Sequence, residues 1–120
     1  MKKNNFAANI LQRNDIAIVY LNGYLDAHSA PQLEDEINEL IKNNQNNIIF
    51  EFSNLEYISS AGLGVFMTFI EQIRDLGGDL KLSNMTEKVQ TVFDLLGFNI
   101  LFEIYNTLDE AVNKFNSTKL

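Results

Sequence analysis

The sequence predicts a single α/β domain built on a four- or five-stranded, mostly parallel sheet with about four helices. Three observations carry this. Strand-type runs alternate with helix-type runs in the order ββαβαβαβα, and strands separated by helices pair in parallel through right-handed crossovers. A chain of 120 residues with 46% hydrophobic content suits one packed core and not two. No internal repeat and no linker-like stretch divides it, so residues 1–120 read as one domain whose core covers about 6–115.

Phe6 to Leu11 is a weak strand candidate, expected to run antiparallel at or near an edge. Ile16 to Leu21 is a nearly continuous apolar run, β-branched and aromatic, which suits a strand buried on both faces. After the turn at Asn22 to Asp26, Leu33, Ile37, Leu40 and Ile41 recur at helical spacing. Ser29 and Gln32 stand at capping-box spacing and Pro31 falls in the first turn, where its missing N–H costs nothing. Ile48 to Phe52 is the next strand. Leu63, Phe66, Met67, Ile70 and Ile73 form a strong helical stripe stopped by Gly77-Gly78. Val65 and Phe69 widen that stripe and read as core. In Leu80-Lys81-Leu82 the alternation points Lys81 outward from a half-exposed strand. Val89, Val92, Phe93 and Leu96 mark a third helix ending at Gly97, Ile100 to Ile104 a last short strand. Leu108, Ala111, Val112 and Phe115 mark a final helix, with Thr107 and Glu110 as its capping box. So short a chain is expected to hold its helices mostly on one face.

Composition narrows the function. The net charge is −7 with nine Lys and Arg, so the cationic patch that nucleic acid requires is missing. There are no cysteines, which removes disulfides and thiolate metal sites and fits a reducing, cytoplasmic setting. The basic start Met1-Lys2-Lys3 is followed by no apolar run, so a secretory signal is not expected, and no stretch is apolar for long enough to span a membrane. The single histidine, His28, rules out a histidine-based metal cluster or catalytic dyad within the chain. Glu34 and Asp35 read as a solvated helix face. Gly62-Leu63-Gly64 lacks the third glycine of a dinucleotide loop, since Met67 holds that place. No enzyme activity, cofactor or metal is expected.

The informative stretch is Tyr57-Ile58-Ser59-Ser60-Ala61-Gly62-Leu63-Gly64. A strand ends, a short loop follows, and a helix begins at or near Ser60. One of the two serines suits an N-cap. A helix start also tolerates a phosphate, because it offers spare N–H donors and a favourable dipole. Gly62 lies where the helix start has to approach the sheet or a partner closely.

Glu51 to Val65 resembles the signature of the STAS family, in which bacterial anti-sigma-factor antagonists are prominent. Gly23-Tyr24-Leu25-Asp26 resembles the family's turn after its second strand, Gly78 to Leu82 its fourth strand, Val89 to Gly97 its third helix, and Asp109-Glu110-Ala111 the start of its last helix. The likeness runs in order through nearly the whole chain. It implies partner switching: the unphosphorylated antagonist binds an anti-sigma factor, which releases its sigma factor. That anti-sigma factor is also an ATP-dependent serine kinase for the antagonist, and a PP2C-type phosphatase resets it. By position, the family's phosphorylated serine falls on Ser60, with Ser59 as runner-up. The family's preceding aspartate falls on Ser59 and the aspartate of its third strand on Glu51, two departures from the pattern. The implied partner-binding surface comprises Asp26, Ser59, Ser60, Ala61, Gly62, Leu63 and Gly64, with Asn84-Met85 nearby. The alternatives are a STAS interaction module that is never phosphorylated, in a scaffold or lipid-transport complex, and a small-molecule-binding STAS domain.

Overall fold

A computed structural model describes residues 6–117 of the chain. Five strands and four α-helices follow the expected order: β1 (Ala7–Arg13), β2 (Ile16–Leu25), α1 (Ala30–Lys42), β3 (Asn47–Ile58), α2 (Ser60–Asp75), β4 (Asp79–Ser83), α3 (Glu87–Leu95), β5 (Glu103–Tyr105) and α4 (Leu108–Ser117). A short 3-10 turn, Phe98–Ile100, joins α3 to β5. The single sheet has the order β1-β2-β3-β4-β5. The β1–β2 pair is antiparallel, and every other pair is parallel. The β1–β2 hairpin turns through Asn14 at φ 56°, a left-handed conformation that Asn tolerates.

Strand alternation sorts the core into two layers. Ala17, Val19 and Leu21 of β2, Ile48, Phe50 and Phe52 of β3, and Leu80 and Leu82 of β4 face one way, onto α1, α2 and α3. Ile16, Ile18 and Ile49 face the other way, onto Ala111, Val112 and Phe115 of α4. The run from Ile16 to Leu21 is therefore buried on both faces, as its composition predicts, and three of the four helices share one face. Phe50, Phe52, Phe66 and Phe93 stack in tilted and edge-on pairs at 5.1–6.3 Å between ring centres, geometry that suits the aromatic quadrupole. Val65 and Phe69 are buried.

Several local expectations are corrected. Lys81 does not point to solvent; it is 4% exposed, beneath α4. Its Nζ lies 2.8 Å from Asp79 Oδ2 and 2.9 Å from Glu103 Oε1, and 4.5 Å from the centre of the Phe115 ring. The outward alternation was right about direction, but α4 covers that direction. Burial raises the Asp79 carboxyl, yet hydrogen bonds from Lys81 and Arg74 outweigh it and hold the group below its ordinary value. The Tyr105 hydroxyl likewise lowers Glu103, with Lys81 adding to the effect against partial burial. Leu96 is exposed instead of buried, beside Leu95 at 80% and Ile100 at 85% exposure, because α3 ends at Leu95 and Leu96 is only its C-cap. The last strand starts at Glu103, later than the apolar run suggests. Ser29 adopts helical dihedrals and makes no side-chain cap to α1; its hydroxyl turns back to the preceding turn. The Thr107–Glu110 capping box of α4 forms as expected, with Glu110 N–H donating to Thr107 Oγ1 at 3.2 Å and Thr107 N–H to Glu110 Oε1 at 3.4 Å.

Candidate functional site

The corner around Ser60 is built where β2 and β3 run on together past the end of β4. The last β4 partner on β3 is Glu51, paired with Ser83, whereas the β2–β3 pairing continues to Leu25 and Ile58. Two register shifts on the way, between Tyr20 and Asn22 and between Gly23 and Tyr24, mark bulges that bend this arm. The motif Gly23-Tyr24-Leu25 is thus strand, not turn, and β3 reaches Ile58 without the short loop the sequence suggested before the helix.

Chain reversal at both strand ends then brings two segments together. The Ser59 N–H donates to Leu25 O at 2.9 Å, locking the start of α2 beside the Asp26 turn. Ser59 is the N-cap of α2, extended at φ −97° and ψ 174°, and its Oγ accepts the Gly62 N–H at 3.3 Å. Ser60 is the first residue of the helix. It is exposed, as is Ala61, while Gly62 and Leu63 are buried and Gly64 is half-buried. With capping assigned to Ser59, the Ser60 hydroxyl has no part in holding the helix end.

The Asp26 turn is closed by side-chain hydrogen bonds. Asp26 Oδ1 accepts the N–H groups of His28 at 3.0 Å and Ser29 at 3.2 Å, an Asx-type turn. The Ser29 hydroxyl donates to Tyr24 O at 2.8 Å and accepts the Asp26 N–H at 2.9 Å. The seven residues singled out by the sequence therefore lie on two adjoining segments, with Gly62 and Leu63 forming the buried footing and Asp26, Ser59, Ser60, Ala61 and Gly64 the outward part. Gly62 is the point of closest approach: a Cβ there would lie 2.8 Å from both Leu25 Cγ and Leu25 O. The helix packs on the sheet through a hydrogen atom.

The residue types alone missed two side chains. Tyr24 and Tyr57 are register partners on β2 and β3, both exposed, with ring centres 5.9 Å apart. Each stands two residues before a site segment, Asp26 or Ser59. That matched offset is the signal that could have found them. Exposed tyrosine pairs suit protein recognition, since they offer rigid apolar area with a polar tip. Glu51, by contrast, is buried and structural. It accepts Ser53 N–H at 3.2 Å, the Ser53 hydroxyl at 2.9 Å and Asn84 Nδ2 at 2.7 Å, tying β3 to the segment after β4. Asn84-Met85 thus belongs to the Glu51 level of the sheet. An open cleft of about 660 Å³ borders Asn22, Gly23, Ser53 to Glu56, Thr86 and Lys88.

A mostly parallel sheet entered by one antiparallel edge strand, with a serine-capped helix start set against a short aspartate turn, defines a small α/β domain. The STAS domain family model matches residues 7–111, and the chain belongs to that family. BtrV of Bordetella bronchiseptica, a candidate anti-sigma factor antagonist, is 31% identical over 100 residues, covering 83% of this chain and 86% of that protein. The anti-sigma-B factor antagonist of Bacillus subtilis is 29% identical over 100 residues, covering 83% and 91%. Among solved structures, a candidate anti-sigma factor antagonist of Thermotoga maritima superposes with a TM-score of 0.82 at 28% identity, covering 91% of this chain and 92% of the other. The Bacillus protein SpoIIAA in its phosphorylated form superposes with a TM-score of 0.72 at 22% identity, covering 91% and 99%, a likeness of fold.

Proposed function

We propose that this chain is an anti-sigma-factor antagonist working by phosphorylation-controlled partner switching, as a single cytoplasmic STAS domain with a core over about 6–115. The observation that carries the reading is the division of labour between the two serines. Ser59 caps α2, which leaves the exposed Ser60 hydroxyl to accept a phosphoryl group at no cost to the helix end. The anti-sigma factor, acting as serine kinase, transfers the γ-phosphoryl of ATP to Ser60 Oγ; the serine proton leaves and ADP is released. A PP2C-type phosphatase returns the hydroxyl by hydrolysis. The chain itself contributes no catalytic group. The relatives named as anti-sigma factor antagonists support the partner class, and the phosphorylated SpoIIAA structure supports the compatibility of this fold with the modified state.

Phosphate adds about −1.5 to −2 charges to a corner that already holds Asp26. The helix N-terminus accommodates the charge, so the domain keeps its fold. A partner that covers the corner would have to desolvate the charge, and binding weakens. The test is incubation with candidate kinases and ATP, phosphosite mapping, and partner affinity for Ser60→Ala, Ser60→Asp and Ser59→Ala. Ser60→Ala is expected to bind without being phosphorylated, and Ser60→Asp to fold but bind weakly. Modification of Ser59 in the Ser60→Ala variant would move the acceptor by one residue. If neither serine is modified and Ser60→Asp binds like wild type, an unphosphorylated interaction module replaces this reading.

A further inference from the structure

We propose that the outer edge of β1 pairs antiparallel with β1 of a second copy of this chain, joining two five-stranded sheets into one. The two edges of the sheet differ. β5 has three residues and carries Glu103, so shortness and charge protect it. β1 has seven residues, Ala7 to Arg13, and from Ala7 to Gln12 it contains no charge, proline or glycine. It pairs with β2 in one unbroken register, so no bulge turns the edge aside. Ile10 is 39% and Leu11 50% exposed. An uncharged, regular strand with exposed aliphatic residues, whose outer row of N–H and C=O groups has no strand partner among the described residues, is a template for another strand.

The strand is complementary to itself, which points to a second copy as the occupant. Two identical strands meet antiparallel across a two-fold axis perpendicular to the sheet, which keeps each face on its own side. Ile10 pairs with Val19 of the α1–α3 face and Leu11 with Ile18 of the α4 face, so facing partners must match in parity. Centring the axis on Ile10 engages all seven residues. Ile10 then faces Ile10 of the second copy, Asn9 faces Leu11, Ala8 faces Gln12 and Ala7 faces Arg13. No like charges oppose each other, although the chain carries −7 overall. Pairing of β1 with β2 begins at Asn22, short of Leu25, so the Ser60 corner stays open. The proposal stands apart from the reading of Ser60. One strand pair buries less than the roughly 1,600 Å² of a standard interface, which makes the association weak and concentration-dependent.

The absence of native cysteine allows a direct test in the full chain. Opposed Cα atoms in an antiparallel pair lie about 4.5–5.5 Å apart, inside the disulfide window of about 4.4–6.8 Å. Ile10→Cys should form a covalent dimer under mild oxidation much faster than Leu76→Cys, an exposed control outside the strand. Asn9→Cys and Leu11→Cys should cross-link with each other and not with themselves. Ile10→Lys should keep the circular dichroism of the wild type and weaken self-association by at least about tenfold in sedimentation, since it opposes two like charges. Equal cross-linking of Ile10→Cys and Leu76→Cys, or wild-type chain that sediments as a monomer up to millimolar concentration, would overturn the proposal.

Discussion

Gly62 and Gly64 lie two residues apart in the first turns of α2, and the same substitution should act on them in opposite directions. At Gly62 an added Cβ meets Leu25 Cγ and Leu25 O at 2.8 Å and Ile58 Cγ1 at 3.1 Å. Leu25 O cannot withdraw freely, because it accepts the Ser59 N–H. The helix start must therefore lift by several tenths of an ångström, loosening that bond and the Ser59 cap together. Because one of the 2.8 Å contacts is to a backbone carbonyl oxygen, overpacking here falls in the upper part of its usual range, about 2–3 kcal/mol. The roughly 1 kcal/mol better helix propensity of Ala offsets only part of it, leaving a net loss of about 1–2 kcal/mol. At Gly64 a Cβ meets nothing within 4 Å, so the propensity gain stands alone and Gly64→Ala should stabilise by about 0.5–1 kcal/mol. The two variants should differ by about 2 kcal/mol, or several degrees in Tm for a domain of this size. Urea and thermal unfolding followed by circular dichroism measure both. A Gly62→Ala variant as stable as wild type, or a Gly64→Ala variant equally damaged, would refute the close-approach argument.

Ser59→Ala should cost about 1 kcal/mol in the same assay through loss of the cap, while Ser60→Ala should leave stability within about 0.5 kcal/mol of wild type. Lys81→Ala should destabilise by about 2–3 kcal/mol, toward the lower end for a broken buried pair, because Asp79 and Glu103 keep some access to water. Both carboxyls have lowered folded-state pKa values, so their contribution is complete above the ordinary values of 3.8 and 4.5 and fades as pH falls through and below them. Acid titration of unfolding free energy should show that loss in the wild type and a smaller one in Lys81→Met.

Much of this arrangement was legible in the sequence because hydrophobic period and helix punctuation are local. The double-faced run of β2, the α2 stripe and the Thr107 capping box all follow from neighbours in the chain. What escaped depends on non-local packing. Lys81 sits between two leucines like a solvent-facing residue, and only the return of α4 across β4 and β5 buries it. Ser29 has capping-box spacing, but the carbonyl of Tyr24 competes for its hydroxyl. The assignment of the cap to Ser59, instead of Ser60, depends on how far β3 runs, and the bulged extension of β3 beside β2 leaves no periodic trace. The tyrosine pair is visible only once register places Tyr24 beside Tyr57.

The consequence for the proposed switch lies in where the rigidity is. α2 is anchored by Leu63, Phe66, Phe69, Ile70 and Ile73 in the core, and its first turn by the Ser59 cap and the Leu25 carbonyl. A charge placed on Ser60 would act on a corner whose helix start and Asp26 turn are both held by hydrogen bonds. Its effect has to be expressed against whatever covers the surface beside the Asp26 turn, to which the start of α2 is tied by the Ser59 N–H bond to Leu25 O. Under the proposed switch, affinity and not conformation is the quantity that phosphorylation of Ser60 would change. Circular dichroism of Ser60→Asp should therefore match the wild type even where its partner affinity does not. A shifted spectrum or a large change in Tm would place the switch inside the fold instead.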